Sequence, residues 1–218
     1  MAGIFKKSKE LENMLEKQME LNGRMSDKLK IAERSLLECQ KFLDFIDAKV
    51  EKNGWQLCGI KKHENDQYIA YFLESKLEEE PQYRYNYNIY AYLSSDLGTP
   101  AYKAYLGWCF KERLTVGRVL HIDNHYVTSE NLQGQGIGTE SMNIIKALAK
   151  QLQCDGIQGT REALNYAATE EERKIEEEKL YKFYEKQGFI QSREHRGIFL
   201  PLKKAVREKL LKNEENKE

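Results

Sequence analysis

The chain has 218 residues, with 35 basic and 35 acidic side chains and a formal net charge of zero, and is long enough for one sizeable domain with an appendage. This balance gives no electrostatic support to a polyanionic partner, so nucleic acid is not an expected ligand. With 32% charged residues and a mean hydropathy of −0.74, no stretch approaches the roughly 18 apolar residues of a membrane span, and the start Met-Ala-Gly-Ile-Phe-Lys-Lys lacks the apolar core of a secretory signal. A cytoplasmic chain with no membrane partner is the expectation.

Residues 1–52 read as a helical, coiled-coil-like extension. From Lys7 to Lys52 there is no proline, a single glycine and a dense mixture of Glu, Lys, Leu and Met. Met25, Leu29, Ala32, Leu36, Cys39, Leu43, Ile46 and Val50 alternate spacings of four and three, which is a heptad seam. Projected backwards, the register meets Asn22, Gln18, Leu15 and Leu11, so polar residues interrupt it beside Asn22-Gly23, a dipeptide that commonly ends a helix. A hairpin hinged there and one long rod both fit. Three things can cover the seam: the segment before Gly23 folding back, the chain's own sheet, or a second molecule. A back-folded segment matches only about half its length, so a homo-oligomer through these helices is expected.

After Asn53-Gly54 short stretches rich in Tyr, Ile, Phe and Val alternate with turn residues. The spacing predicts strands over Trp55–His63, Gln67–Ser75, Tyr83–Ser94, Tyr102–Lys111 and Val116–Val127, with a hairpin turn at Glu64-Asn65-Asp66 and a loop at Asp96-Leu-Gly-Thr-Pro100. Seven of the thirteen tyrosines lie between Tyr68 and Tyr92. An RNA-stacking sheet concentrates aromatics in this way but interleaves them with Lys and Arg, and here Arg84 stands nearly alone; half-buried antiparallel strands suit the pattern better.

The second half alternates. Ile137, Met142, Ile144, Ile145, Leu148 and Leu152 follow helical spacing; a strand at Gly156–Thr160, an acidic helix ending near Gly188, and strands near Phe189–Glu194 and Ile198–Leu202 come next. Residues 53–204 therefore make an α/β domain with a mixed sheet, followed by a charged tail at 205–218. The four cysteines (Cys39, Cys58, Cys109, Cys154) form no C-x-x-C pair, so they read as buried thiols, with no metal expected.

Gln133-Gly134-Gln135-Gly136-Ile137-Gly138 sits between an apolar strand and an amphipathic helix. A glycine-rich turn there exposes backbone N–H groups at a helix N-terminus, where the dipole favours a pyrophosphate. It is neither a G-x-x-x-x-G-K-[ST] loop nor the opening of a run of βαβ units. The segment resembles the Q/R-x-x-G-x-G/A motif of the GNAT superfamily of N-acetyltransferases. Phe183-Tyr184-Glu185-Lys186-Gln187-Gly188-Phe189 is similar to a second motif of that family, and together they cover about residues 116–203.

The resemblance implies a GNAT-like acyl-CoA N-acyltransferase fold and acetyl-CoA as co-substrate. It implies that Gln133, Gly134, Gln135, Gly136, Ile137, Gly138 and Thr139 hold the pyrophosphate. Tyr126 and Val127 would pair their backbone with the pantetheine arm, and Tyr184 would protonate the departing thiolate. A base is expected among residues of the strand before the loop. His121, Asp123 and His125 share one face by period-two alternation, and the choice between Asp123 and His125 stays open because the loop from Val127 to Gln133 is one residue longer than usual. Where many members carry an Asn seven residues before the tyrosine, this chain has Glu177, and its nearest Asn is Asn165. The reaction expected is direct acetyl transfer from acetyl-CoA to an amine, with no covalent intermediate. The rival reading is a coiled-coil interaction protein with an inactive or regulatory CoA-binding platform.

Overall fold

In a computed structural model of the chain, the described residues are 2–63, 67–77, 85–110, 118–160, 169–191, 197–204, 206 and 208, with side chains described from 13 onward except at 76, 77, 85, 86, 108–110 and 191. The expected turn at 64–66, Asn165, the Cys109 side chain and nearly all of the tail lie outside them. Two compact units are present, Met1–Ala48 and Lys49–Glu218.

The first unit is one helix, α1 (Ala2–Asp47). It runs without a break through Asn22-Gly23, so the hairpin alternative does not occur. Gly23 does not take the positive φ of a helix terminator. A glycine inside a helix costs about 1 kcal/mol relative to alanine, a penalty that forty-odd good helix formers outweigh. All the side chains from residue 13 to 41 are exposed, including Met25, Leu29 and Leu36 at 61%, 61% and 72%. Cys39 is exposed and Cys58 half-buried, whereas Cys154 is buried. The expectation of buried thiols therefore fails at Cys39, which sits on the open seam of α1.

The second unit holds β1 (Gln56–Lys62), β2 (Tyr68–Leu77), β3 (Tyr85–Leu93), β4 (Tyr102–Phe110), β5 (Arg118–Val127), α2 (Ile137–Gln151), β6 (Gly156–Thr160), α3 (Glu170–Lys186), β7 (Ile190–Gln191) and β8 (Gly197–Pro201). Among the described residues the strands form one sheet in the order β1-β2-β3-β4-β5-β6-β8-β7. The first five make an antiparallel meander; β5 and β6 are parallel, with α2 as the crossover.

Alternation assigns one sheet face to the core. Ile69 and Tyr71 of β2, Ile89 of β3, Tyr102 and Leu106 of β4, and Leu120 and Ile122 of β5 pack into one cluster with Ile137, Met142, Ile145 and Leu148 of α2 and Tyr184 of α3. Of the tyrosines concentrated between Tyr68 and Tyr92, Tyr71, Tyr87 and Tyr92 are buried, so these three serve packing. On the opposite face Trp55 stacks on Tyr90, centroids 4.8 Å apart and 12° from parallel, with Lys49 Nζ 4.3 Å above the indole. Two contacts fix the helices. A capping box at Thr169 and Glu172 starts α3, and Lys146 Nζ donates to Gln187 Oε1 (2.7 Å), tying α2 to the end of α3.

Candidate active site

β5 positions the site because it changes partners and register along its length. Its parallel pairing to β6 runs from Val119↔Gly156 to Ile122↔Gly159, so residues 123–127 lie beyond it. On its other side the register passes from Leu106↔Ile122 to Tyr105↔Asn124, which leaves Asp123 as the extra residue of a bulge. A bulge shifts every later side chain to the other face. His125, opposite Ala104, therefore shares the core face with Ile122, while His121 lies opposite Gly107 on the far face.

The expectation that His121, Asp123 and His125 share one face is thus corrected, since strict alternation assumes an uninterrupted ladder. His121 receives Gln158 (3.1 Å) and lies 3.3 Å from the exposed Asp123 carboxylate. His125 instead turns toward α3, where its Nε2 hydrogen-bonds the Tyr184 hydroxyl. Their rings meet edge to face, with centroids 5.5 Å apart, and Phe183 lies 5.9 Å from the imidazole.

Burial decides the protonation of this pair. It lowers the His125 pKa from 6.5 to about 4, so the ring is neutral near pH 7. The same desolvation raises Tyr184 well above its ordinary value, so the phenol keeps its hydrogen. The pair therefore holds one hydrogen between Oη and Nε2, with Tyr184 buried and His125 partly exposed on the cleft wall.

The glycine-rich loop lies beside it. After the single-turn helix Glu130–Leu132, Gly134 (φ 78°) and Gly136 (φ 82°) adopt left-handed conformations that an L side chain resists. Gly136 is the N-cap of α2 and offers no side chain, and the first helical bond is Glu140 N–H to Gly136 O (3.0 Å). Helix geometry leaves the N–H groups of Ile137, Gly138 and Thr139 without intrahelical acceptors. Gly138 backs onto Phe183, whose Cε2 lies 3.7 Å from where a Cβ would stand.

These elements enclose a cleft of about 630 Å³, within the range of small-molecule sites. Of the residues singled out in the sequence, His125, Tyr126, Val127, Gln133, Gly134, Gly136, Ile137, Gly138 and Thr139 line it. Gln135 does not: its amide donates to Asn131 O (2.7 Å) and its Oε1 meets His63 Nε2 (2.5 Å), bracing the loop against the end of β1. Tyr184 stands behind His125 rather than on the wall, and Asp123 is elsewhere. Lys179, Glu176 and Leu180 of α3 also line the cleft. Helical spacing from Phe183 places Lys179 and Glu176 on one side of α3, a signal available in the sequence, whereas nothing local in the sequence points to His63.

No protein-family model and no curated protein matches the chain. Solved structures similar to it include the NatC complex bound to Gag peptide and CoA (19% identity, 53% of this chain and 71% of that one, TM-score 0.41). Others are a GNAT-family acetyltransferase from Staphylococcus aureus Mu50 (13%, 54% and 68%, 0.38) and a Bacillus subtilis acetyltransferase in complex with CoA (14%, 60% and 98%, 0.34). Over part of its length the chain resembles GNAT acetyltransferases.

Proposed function

We propose that the chain is an N-acetyltransferase that moves an acetyl group from acetyl-CoA to an amine. The observation that carries this reading is one cleft walled both by the uncapped N-terminus of α2 and by His125, whose hydrogen-bonded partner Tyr184 stands directly behind it. The N–H groups of Ile137, Gly138 and Thr139, with the helix dipole, suit a pyrophosphate. The backbone of Tyr126 and Val127, beyond the β6 pairing, suits the amides of a pantetheine arm lying like an added strand. Lys179 adds a positive charge to the wall.

In the reaction the neutral amine attacks the thioester carbonyl, the tetrahedral adduct expels the thiolate, and sulfur takes a proton while the nitrogen loses one. A lysine-like amine of pKa about 10.4 is neutral in about one molecule in 2,500 at pH 7, a deficit of roughly 4 to 5 kcal/mol, so loss of the ammonium proton to a base or to water matters. The thiolate proton is assigned to the Tyr184–His125 pair: the imidazole, which lines the cleft, gives its ring proton to the sulfur and takes the Tyr184 hydroxyl hydrogen on Nε2. A buried phenol is a reluctant acid toward a thiolate of pKa about 8.5, and the imidazole is placed to share the charge left on the oxygen. Of the two candidates for the base, Asp123 does not line the cleft and His125 does; with His125 engaged by Tyr184, the ammonium proton is lost to water.

Release of free thiol from acetyl-CoA in the presence of a panel of amines tests the reading. Turnover with at least one amine is expected. Coenzyme binding without turnover on any of them would replace it by a regulatory platform.

A further inference from the structure

We propose that α1 is one strand of a parallel, in-register, two-stranded coiled coil formed with a second copy of this chain, and that Asn22 and Gln18 set its register. The inference concerns α1 alone and does not depend on the reading of the cleft.

The unbroken helix removes the back-folded segment as a cover for the seam. From residue 13 to 41 all the side chains are exposed, a stretch of about 42 Å at the α-helical rise. An apolar stripe of this length in water is not a stable endpoint for a lone helix, whose persistence normally depends on packing one face.

The heptad register then names the occupant. Leu15, Asn22, Leu29 and Leu36 take the a positions, and Gln18, Met25, Ala32 and Cys39 take the d positions. In a parallel, in-register pair each layer faces its own copy, so Asn22 meets Asn22 and Gln18 meets Gln18, amide to amide. A parallel pair shifted by one heptad sets Asn22 against Leu15 or Leu29 and leaves the amide without a partner.

Charge agrees. The g position Lys28 faces the e position Glu33 of the second copy, and both are exposed. Met14 and Met19 form the corresponding apolar g–e pair, and no like charges oppose each other at these positions between residues 13 and 41. An antiparallel pair centred near residue 20 also opposes Asn22 with Gln18, but it separates Lys28 from Glu33. It also sets the two Cys39 side chains tens of ångströms apart.

That difference supplies the test. Light scattering on the full chain at about 50 µM should give twice the 25.6 kDa chain mass. Leu29→Asp with Leu36→Asp should return it to the chain mass. Mild oxidation with diamide should convert most of the wild type to a covalent dimer through the exposed Cys39, facing its copy across the d layer, and Cys39→Ser should abolish the product. A monomeric wild type, or a trimer or tetramer, would overturn the proposal. A dimer that does not cross-link through Cys39 would overturn the parallel register.

Discussion

The Tyr184 hydroxyl meets Nε2 of His125 across 59 residues of chain, joining α3 to the bulged end of β5. Neither residue reaches the other unless the Asp123 bulge turns His125 onto the core face. A local irregularity in one strand thus creates the hydrogen-bonded pair beside the cleft.

Because the two side chains act through one shared hydrogen, their losses should not add. Tyr184→Phe deletes only the hydroxyl and should lower turnover by roughly 10²- to 10⁴-fold with little change in coenzyme affinity. His125→Asn should cost a similar factor, and the double variant about as much as either alone. Steady-state kinetics on the three variants checks this. Independent, multiplying losses would show that the residues serve separate steps.

His125 also makes stability depend on pH, in a defined direction. Its folded pKa of about 4 lies below the ordinary 6.5, so between these values the unfolded chain binds the proton and the folded chain does not. Stability is therefore fully present above about pH 6.5 and falls as pH drops toward 4, by up to about 3 kcal/mol from this group. Urea unfolding at pH 7, 5.5 and 4.5 should show wild type losing more than His125→Asn over that range; parallel profiles would mean the imidazole is not desolvated.

The glycine-rich loop has a brace outside the cleft. His63 Nε2 holds Gln135 Oε1, whose amide in turn holds Asn131 O, so the turn carrying Gly134 and Gly136 is anchored to β1. His63→Ala should weaken acetyl-CoA binding by about five- to tenfold, the worth of one partly buried hydrogen bond, while turnover at saturating coenzyme stays unchanged. His63→Gln should recover part of the affinity. An equal fall in turnover for His63→Ala would place the residue in the chemistry instead.

Much of this was legible in the residues. The strands and helices of the second unit follow from period-two and helical spacing, and their observed bounds differ from the expected ones by a few residues at the ends. The glycine-rich turn was visible because glycine, strand and amphipathic helix occur in the order that an exposed helix N-terminus requires. The bulge was not visible, because Ile122-Asp123-Asn124 has no residue that demands one. The orientation of His125 was hidden with it. His63 could not be placed for a similar reason, since its partner lies 72 residues away. The heptad seam was legible, but Asn22-Gly23 left two outcomes open, and only the helical conformation of Gly23 decides between them.

The central claim is that acetyl-CoA binds at the N-terminus of α2. Gly136 is a poor probe because its left-handed backbone would be strained by any side chain. Gly138 is a better one: a Cβ there makes only ordinary contact with Phe183, so Gly138→Glu should fold normally while placing a carboxylate on the cleft wall. Calorimetric titration of acetyl-CoA into both proteins should show saturable binding to the wild type and at least a tenfold weaker affinity in the variant, about 1.4 kcal/mol or more, with matching unfolding midpoints. Equal affinity in the two proteins, or no binding to the wild type, would contradict the account.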